Sequence, residues 1–246
     1  MNREILYEIS KRKVVRGRLD PELCLYNPEE VYKALIHNER VKNWLKWIAY
    51  RYIPPKEKKI LLLYPCSTIK PYTESRLYKV LFRTLGKLGS HRNLIHVVTI
   101  SEPFALVPEE YYIKWNIWYD CPGLFKWWCS KHKQRYVKKY VDKSIEILSK
   151  TIAKYLLRTR DQYLFRMAFI RTCSSTLKIN SDHTHRRMIE LASLESDINV
   201  DLMPPESFIK ELVAVRGRLS WDFYGVAHPM AQEYLYCLLS NIIKNL

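Results

Sequence analysis

The segment from Pro65 to Ser75 concentrates side chains that can do chemistry, among them the Cys66 thiol and the Lys70 ammonium. It follows a continuous apolar run at 59–64 that predicts a buried strand, and it precedes a helical pattern. Open α/β sheets bind ligands at this position, and a helix N-terminus stabilises a thiolate. Cys66 is therefore a candidate nucleophile, although a lone cysteine is also often a small buried apolar residue.

Lys70 adds a positive charge to the same loop. It could stabilise a thiolate or bind phosphate or carboxylate, whereas a solvated surface lysine is the ordinary role of this residue type. The residues alone leave both interpretations open.

The elements around this segment follow from apolar periodicity. Residues 74–88 read as a helix and residues 94–100 as a second buried strand, so the unit predicts parallel pairing. A long amphipathic helix at 137–156 and a strand at 163–170 follow. Further helices are predicted after Pro28, at 183–194 and at 229–243.

This alternation predicts a three-layer α/β/α fold with a mostly parallel central sheet and helical additions at both ends. We expect a basic N-terminal arm at 1–27 and one α/β core domain at 28–246. With 48% hydrophobic residues, the chain can bury a sizeable core.

The charge points to a polyanionic partner. The chain has 41 Lys and Arg against 25 Asp and Glu, a formal net charge of +16, which favours nucleic acid binding. No apolar run approaches the roughly 18 residues of a membrane span. The start lacks a secretory pattern and the six cysteines include no Cys-x-x-Cys pair, so we expect a cytoplasmic protein with free thiols and no zinc ribbon.

The pentapeptide Val-Arg-Gly-Arg-Leu occurs twice, at 15–19 and 215–219. The repeat has no surrounding similarity and is readily explained by coincidence, although its arginines also suit phosphate binding. The candidate RNA-binding residues are Arg16, Arg18, Arg216 and Arg218.

The reactive segment also carries a family motif. Pro65-Cys66, three residues, Lys-Pro-Tyr at 70–72, two residues and Ser75 closely resemble the signature of the core domain of archaeosine synthase. Segments at 37–55, 99–110 and 119–123 are similar to further parts of that domain, so residues 28–175 match in order.

This resemblance implies the layered fold of uracil-DNA glycosylases and a role in archaeal tRNA modification. Family enzymes add the side-chain amine of lysine to the nitrile of 7-cyano-7-deazaguanine in the tRNA D-loop, and a radical-SAM partner then completes archaeosine. We expect no cofactor. The resemblance implies catalytic roles for Cys66, Lys70 and Ser75, and substrate-binding roles for Pro65, Ser67, Tyr72, Glu102 and Asp120.

The implied chemistry suits these groups. A thiolate converts a nitrile to a thioimidate that an amine then displaces, which splits one hard step into two. Cys66 is the expected nucleophile, with direct attack by the amine as the alternative. Ser67, Ser75 or backbone N–H groups could stabilise the developing negative nitrogen, and Asp120 could bind the amine or the base edge.

The sequence departs from the family at Tyr78, where the motif has a histidine. Tyrosine is a poorer general base, so the chain either is slow, borrows another histidine or has lost catalysis. His228 is one replacement, unless it only caps the last helix. A separate chain with a PUA domain could supply RNA binding. The alternatives are a degenerate tRNA-binding subunit and, by fold analogy alone, a base-excision glycosylase.

Two further clusters are ambiguous. Asp182, His183 and His185 could suggest a metal site, but histidines two apart on a helix point to different faces, so we expect no metal. The aromatic cluster after the second strand, which includes Trp115, Trp118, Trp127 and Trp128 among lysines, is expected to be mostly core, with at least one ring free to stack an unpaired base.

Overall fold

Seven strands form two sheets in the computed structural model, which describes all 246 residues. The strands are β1 (Arg18–Cys24), β2 (Ile60–Pro65), β3 (Ile95–Ser101), β4 (Ala105–Pro108), β5 (Ile117–Asp120), β6 (Phe165–Phe169) and β7 (Asp201–Met203). The central sheet has the order β4-β3-β2-β6-β7, in which only β4 is antiparallel to its neighbour, and β1 pairs with β5 in a parallel two-stranded sheet.

The central strands owe their position to their sequences. Every residue of β3 is buried, and β2 is buried from Ile60 to Tyr64. Strands that are buried along their whole length occur where both faces of the sheet are covered. The predicted α/β fold with a mostly parallel central sheet is therefore confirmed.

Ten helices surround the sheets. They are α1 (Arg3–Lys11), α2 (Pro28–His37), α3 (Glu39–Tyr50), α4 (Arg76–Gly86), α5 (Lys126–Lys131), α6 (Lys138–Arg158), α7 (Thr184–Ser196), α8 (Glu206–Arg216), α9 (Arg218–Tyr224) and α10 (Pro229–Lys244). Helix α6 packs against α2, α3 and α7, whereas α10 packs against α4. None of the ten combines the length and the apolar character that crossing a bilayer requires.

Helix α4 begins later than the periodicity of 74–88 predicts. A short 3-10 turn at Tyr72–Glu74 comes first, and Ser75 is the N-cap, because its hydroxyl accepts the Tyr78 N–H at 3.2 Å. Serine is a favoured N-cap since its oxygen satisfies an otherwise free helical N–H.

The first 27 residues fold against the core beside the reactive loop. The Lys70 N–H donates to the Lys13 carbonyl at 2.9 Å, and the Val15 N–H donates to the Lys70 carbonyl at 2.7 Å. These hydrogen bonds fix the backbone of the loop at its midpoint.

Candidate active site at the carboxyl ends of β2 and β3

A thiol, an imidazole and a carboxylate meet where the two central strands end. Cys66 follows β2, and its N–H donates to the Ile100 carbonyl of β3 at 3.0 Å. Glu102 follows β3, and His185 lies in the first turn of α7. His185 Nε2 is 3.9 Å from Cys66 Sγ and 3.2 Å from Glu102 Oε2. One ring nitrogen therefore faces both the candidate nucleophile and an acid.

The Glu102 carboxylate is the anchor of this cluster. It is 1% exposed, and its other oxygen accepts the Thr184 hydroxyl at 2.7 Å. Burial raises the pKa of Glu102, but the His185 charge and the two hydrogen bonds outweigh it and lower that pKa below its usual value. A buried carboxylate held by two donors stays ionised.

His185 is correspondingly held as a cation. Burial lowers its pKa, but the Glu102 carboxylate and the contact with Cys66 outweigh it and raise the pKa of His185 to about 10. The imidazolium is thus the dominant form at neutral pH. A positive charge beside sulfur favours a thiolate, and an imidazolium can also donate a proton.

A cavity of about 440 Å³ opens onto the cluster. Pro65, Cys66 and His185 line one part of it. The other lining residues are Leu77, Phe125, Trp127, Arg171, Ser174, Asn180, Asp182, His183, Asp222, Tyr224, Gly225 and Val226. This volume is within the usual range of small-molecule sites.

The side chain of Lys70, in the middle of the loop, is buried and does not line the cavity. It is 3% exposed, donates to the Ser67 carbonyl, and stands 4.6 Å and 4.9 Å from the ring centroids of Tyr72 and Tyr119. Burial lowers the pKa of Lys70, and electrostatic interactions with Cys66 and Asp120 oppose this effect. The Ser67 hydroxyl accepts the Ile69 N–H at 3.2 Å. Both residues hold the loop in shape.

Tyr72 is fully buried in a chain of hydroxyl groups. Its hydroxyl bonds that of Tyr119, which in turn bonds Ser101. Burial raises the pKa of Tyr72 well above its usual value. Tyr72 therefore remains a neutral phenol below the cavity.

Ser75 and Tyr78 also support the loop from below. Ser75 donates to the Tyr72 carbonyl at 2.8 Å and caps α4, while the Tyr78 hydroxyl bonds Thr99 and donates to the Pro65 carbonyl at 3.2 Å. Burial raises the pKa of Tyr78 well above its usual value, which makes it unsuited to exchange protons at neutral pH. Neither side chain lines the cavity.

Asp120 is held by the N-terminal segment. Its Oδ2 accepts the Ser10 hydroxyl at 2.6 Å and is ion-paired with Lys13. Asp120 is the residue predicted to bind the amine or the base edge. Ser10 and Lys13 already donate to its carboxylate, so a substrate in that place would meet an occupied acceptor. The binding role of Asp120 stays a prediction.

The remaining predicted residues lie outside the cluster. His228 caps α10 through its Nδ1, which accepts the Met230 N–H at 3.1 Å. All four arginines of the repeated pentapeptide are exposed. Arg16 is paired with Glu74, and Gly217 joins α8 to α9 between Arg216 and Arg218. Their binding to RNA stays a prediction.

The expectation that His183 and His185 point to different faces of a helix is wrong. His183 lies before the first turn of α7, at the N-cap position, and both side chains line the same cavity. His185 is also the residue that local spacing missed, because it stands 119 positions after Cys66 and reaches the thiol only through the packing of α7.

Cys66, Glu102 and His185 each offer one atom that can bind a metal ion, and these three atoms lie within 4.8 Å of one another. Thiolate, imidazole and carboxylate are the ligands that Zn²⁺ takes in proteins. Cys66, Glu102 and His185 could therefore hold a divalent cation.

The chain matches the family model described as a domain of unknown function, DUF5591, over residues 41–194. That stretch is more than half of the chain and contains Cys66, Glu102 and His185. The chain belongs to this family.

Three curated relatives are each named archaeosine synthase subunit alpha. The protein from Thermococcus kodakarensis is 32% identical over 123 residues, which cover 50% of this chain and 20% of the relative. The Methanosarcina acetivorans protein is 30% identical over 112 residues, which cover 43% and 17%. The Thermoplasma acidophilum protein is 31% identical over 83 residues, which cover 33% and 16%.

The resemblance to archaeosine synthase that the motifs predict is thus confirmed. The match spans a fifth or less of the length of these relatives. A solved structure titled as AF0587, a protein of unknown function, aligns with a TM-score of 0.43 at 15% identity, and covers 80% of this chain and 49% of that one. The predicted likeness to uracil-DNA glycosylases stays a prediction.

Proposed function

We propose that this protein modifies tRNA in archaeosine biosynthesis by adding an amine, expected to be lysine, to the nitrile of 7-cyano-7-deazaguanine. The observation that carries the proposal is the placement of His185 Nε2 at 3.9 Å from Cys66 Sγ within a cavity. The names of the relatives support the pathway.

The first step joins sulfur to carbon. The Cys66 thiolate attacks the nitrile carbon, one of the carbon–nitrogen π bonds breaks, and the nitrogen takes the proton of the His185 imidazolium. The product is a thioimidate on Cys66 with a neutral His185. A positioned acid typically contributes about 10²–10⁴-fold to the rate of such a proton transfer.

The second step releases the enzyme. The amine attacks the thioimidate carbon, the carbon–sulfur bond breaks, and the base leaves as an amidine. The proton lost by the amine goes to His185, so the thiolate and the imidazolium are restored. Glu102 contributes by stabilising the imidazolium, since its carboxylate lies 3.2 Å from Nε2.

His185 thus takes the part that the family motif gives to the histidine at the position of Tyr78. The +16 charge supplies attraction for tRNA. A separate RNA-binding chain and a radical-SAM protein for the following step are the expected partners.

The test is to incubate the protein with lysine and tRNA carrying the nitrile base, digest the tRNA and measure nucleoside masses. The parent should form the lysine adduct. Cys66→Ala should lower the rate by at least about 10³-fold, since the covalent route is lost. Cys237→Ala is the matched control, because Cys237 is an exposed cysteine far along the chain.

An unchanged nitrile in the presence of tRNA binding would contradict the proposal for this chain. A second candidate is a metal-assisted reaction, favoured by the three clustered ligand atoms. Adduct formation that is lost on chelation and restored by Zn²⁺ would assign the cluster to that role.

A further inference from the structure

Helix α3 carries a basic and aromatic surface that is separate from the Cys66 cavity. Two hollows, of about 560 Å³ and 400 Å³, lie along this helix and share two of their lining residues. Neither hollow has a lining residue in common with the Cys66 cavity. The helix and its C-cap contribute Arg40, Asn43, Lys46, Trp47, Tyr50 and Arg51, which we call the α3 surface.

The sequence of α3 explains why these side chains lie together. Positions 40, 43, 47 and 50 recur at intervals of three, four and three, so they share one face of the helix. Val41, Leu45 and Ile48 form the opposite, buried face. From Arg40 to Tyr50 the helix rises about 15 Å. The α3 surface is therefore a strip long enough to contact more than one nucleotide.

The strip offers aromatic rings that a base can stack on. Tyr50 is 56% exposed, and the Lys154 Nζ lies 5.0 Å from the centroid of its ring. Trp47 lines both hollows and is supported by Trp44 at 4.7 Å and by Tyr111 at 5.0 Å between ring centroids. Proteins hold unpaired bases on such rings, with cations beside them for the phosphates.

The charges of the strip complement a polyanion. Lys46, Arg51 and Lys154 are exposed and form no salt bridge, whereas Arg40 is paired with Asp20 at 3.3 Å. No carboxylate lines either hollow. Cations that have no carboxylate beside them can bind phosphate without first losing a partner. Charge and aromatic surface thus indicate the same class of ligand.

We propose that the α3 surface binds a short unpaired segment of RNA, with one base stacked on Tyr50 and the neighbouring phosphates held by Lys46 and Arg51. The choice of RNA rests on the proposed function, whereas the complementarity of charge and rings does not. The surface holds the nucleic acid outside the cavity and takes no part in the reaction.

Helix α10 provides a matched control for the stacking residue. The Lys87 Nζ lies 5.4 Å from the ring centroid of Tyr236, so this pair resembles Lys154 and Tyr50. Lys87, however, is ion-paired with Glu233 at 3.4 Å. Helix α10 packs against α4, whereas α3 packs against α6. Tyr236 therefore tests the loss of a tyrosine beside a lysine where a carboxylate is already present.

Fluorescence anisotropy with two probes tests the stacking. One probe is a single-stranded oligouridylate of about eight nucleotides, and the other is a fully paired RNA of the same length. Tyr50→Ala should raise Kd for the single-stranded probe about tenfold, as expected for the loss of one stacked base. Its Kd for the paired probe should change less than about twofold. Tyr236→Ala should leave both values within about twofold of the parent.

The salt dependence of binding tests the phosphate contacts. Lys46→Ala and Arg51→Ala should each make the slope of log affinity against log salt concentration shallower by about 0.7 for the single-stranded probe, because each removes one phosphate contact. Lys244→Ala is the control, since this exposed lysine of α10 forms no salt bridge and its loss changes the net charge equally. It should leave the slope unchanged.

Equal losses of affinity in Tyr50→Ala and Tyr236→Ala would overturn the proposal. Equal slopes in Lys46→Ala and Lys244→Ala would also overturn it, since net charge alone would then hold the RNA. Neither probe carries a nitrile, so binding and chemistry fail separately. A protein that makes the adduct but binds RNA independently of the α3 surface loses only this inference. One that binds through this surface and makes no adduct loses only the proposed function.

Discussion

The motif loop and the N-terminal end of α7 contribute to the site in different ways. The loop supplies Cys66 to the cavity, whereas its Lys70 and Ser75 side chains are buried, with exposed fractions of 3% and 2%. The start of α7 has no recognisable motif, yet it supplies His183 and His185 to the cavity. A motif can therefore mark the position of one thiol, while the groups that lie beside that thiol come from elsewhere in the fold.

Separate substitutions of His185 and Tyr78 test this comparison with the largest expected effect. His185→Gln should reduce adduct formation about 10²–10⁴-fold, because the proton donor beside sulfur is lost. Tyr78→Phe removes hydrogen bonds to Thr99 and Pro65, and should leave the rate within about threefold while lowering the free energy of unfolding by about 1–2 kcal/mol. Single-turnover rates and urea unfolding measure the two effects.

The reverse pattern, a slow Tyr78→Phe and a fast His185→Gln, would return the general acid to the motif position. A double variant adds a check. If both residues served one proton path, their effects on the rate would not be additive.

A second prediction concerns the ion pair behind the thiol. In Glu102→Gln the carboxylate that raises the pKa of His185 is gone and burial lowers that pKa, so it should fall from about 10 towards or below the ordinary value. The raised pKa of the parent means that the pair stabilises the fold below the unfolded histidine pKa of about 6.5. This stabilisation is lost as the pH rises through about 10.

Histidine-selective NMR across a pH series measures this change. His228, whose pKa is lowered by burial and by Arg216, serves as an internal reference that the substitution should not move. A His185 resonance that titrates near its ordinary pKa in the parent would show that the pair is not ionised as described.

The smallest expected effect is at the cap of α4. Ser75→Ala should cost about 1 kcal/mol of stability, since a side-chain oxygen no longer accepts the Tyr78 N–H. Adduct formation should stay within about twofold of the parent, as for a residue that only shapes the loop. Ser130→Ala, on the exposed surface of α5, is the matched control. A large loss of rate with normal stability would give the Ser75 hydroxyl a direct role instead.

The sequence predicted the fold well where patterns are local. The apolar residues of β2 and β3 are close together in the sequence, which predicts two short buried strands. The apolar residues of α6 recur every three or four positions, which predicts a helix with one buried face. The start of α4 was misplaced by two residues because the Ser75 cap competes with the helical pattern. Pairing of β1 with β5 was not foreseen, because it joins segments about a hundred positions apart.

The site was predicted only in part, because some of its contacts join segments that lie far apart in the sequence. Cys66 and Glu102 follow strands, so their meeting at one sheet edge could be inferred from parallel pairing. His185 depends on how α7 packs on α6, a tertiary contact that leaves no trace in spacing. Lys70 was expected either to act on the thiol or an anion or to be a solvated surface lysine; its side chain is buried beside Tyr72 and Tyr119, a tertiary contact that spacing does not show, and its catalytic role stays a prediction.

The measurement that tests the pairing of Cys66 with His185 most directly is trapping of the thioimidate. The protein is mixed with RNA carrying the nitrile base, without any amine, and the intact mass is determined. A protein–RNA species attached at Cys66 should appear in the parent and in Tyr78→Phe, be absent from Cys66→Ala, and form far more slowly in His185→Gln. Absence of that species from a parent that still makes the amine adduct, together with an active Cys66→Ala, would contradict the account.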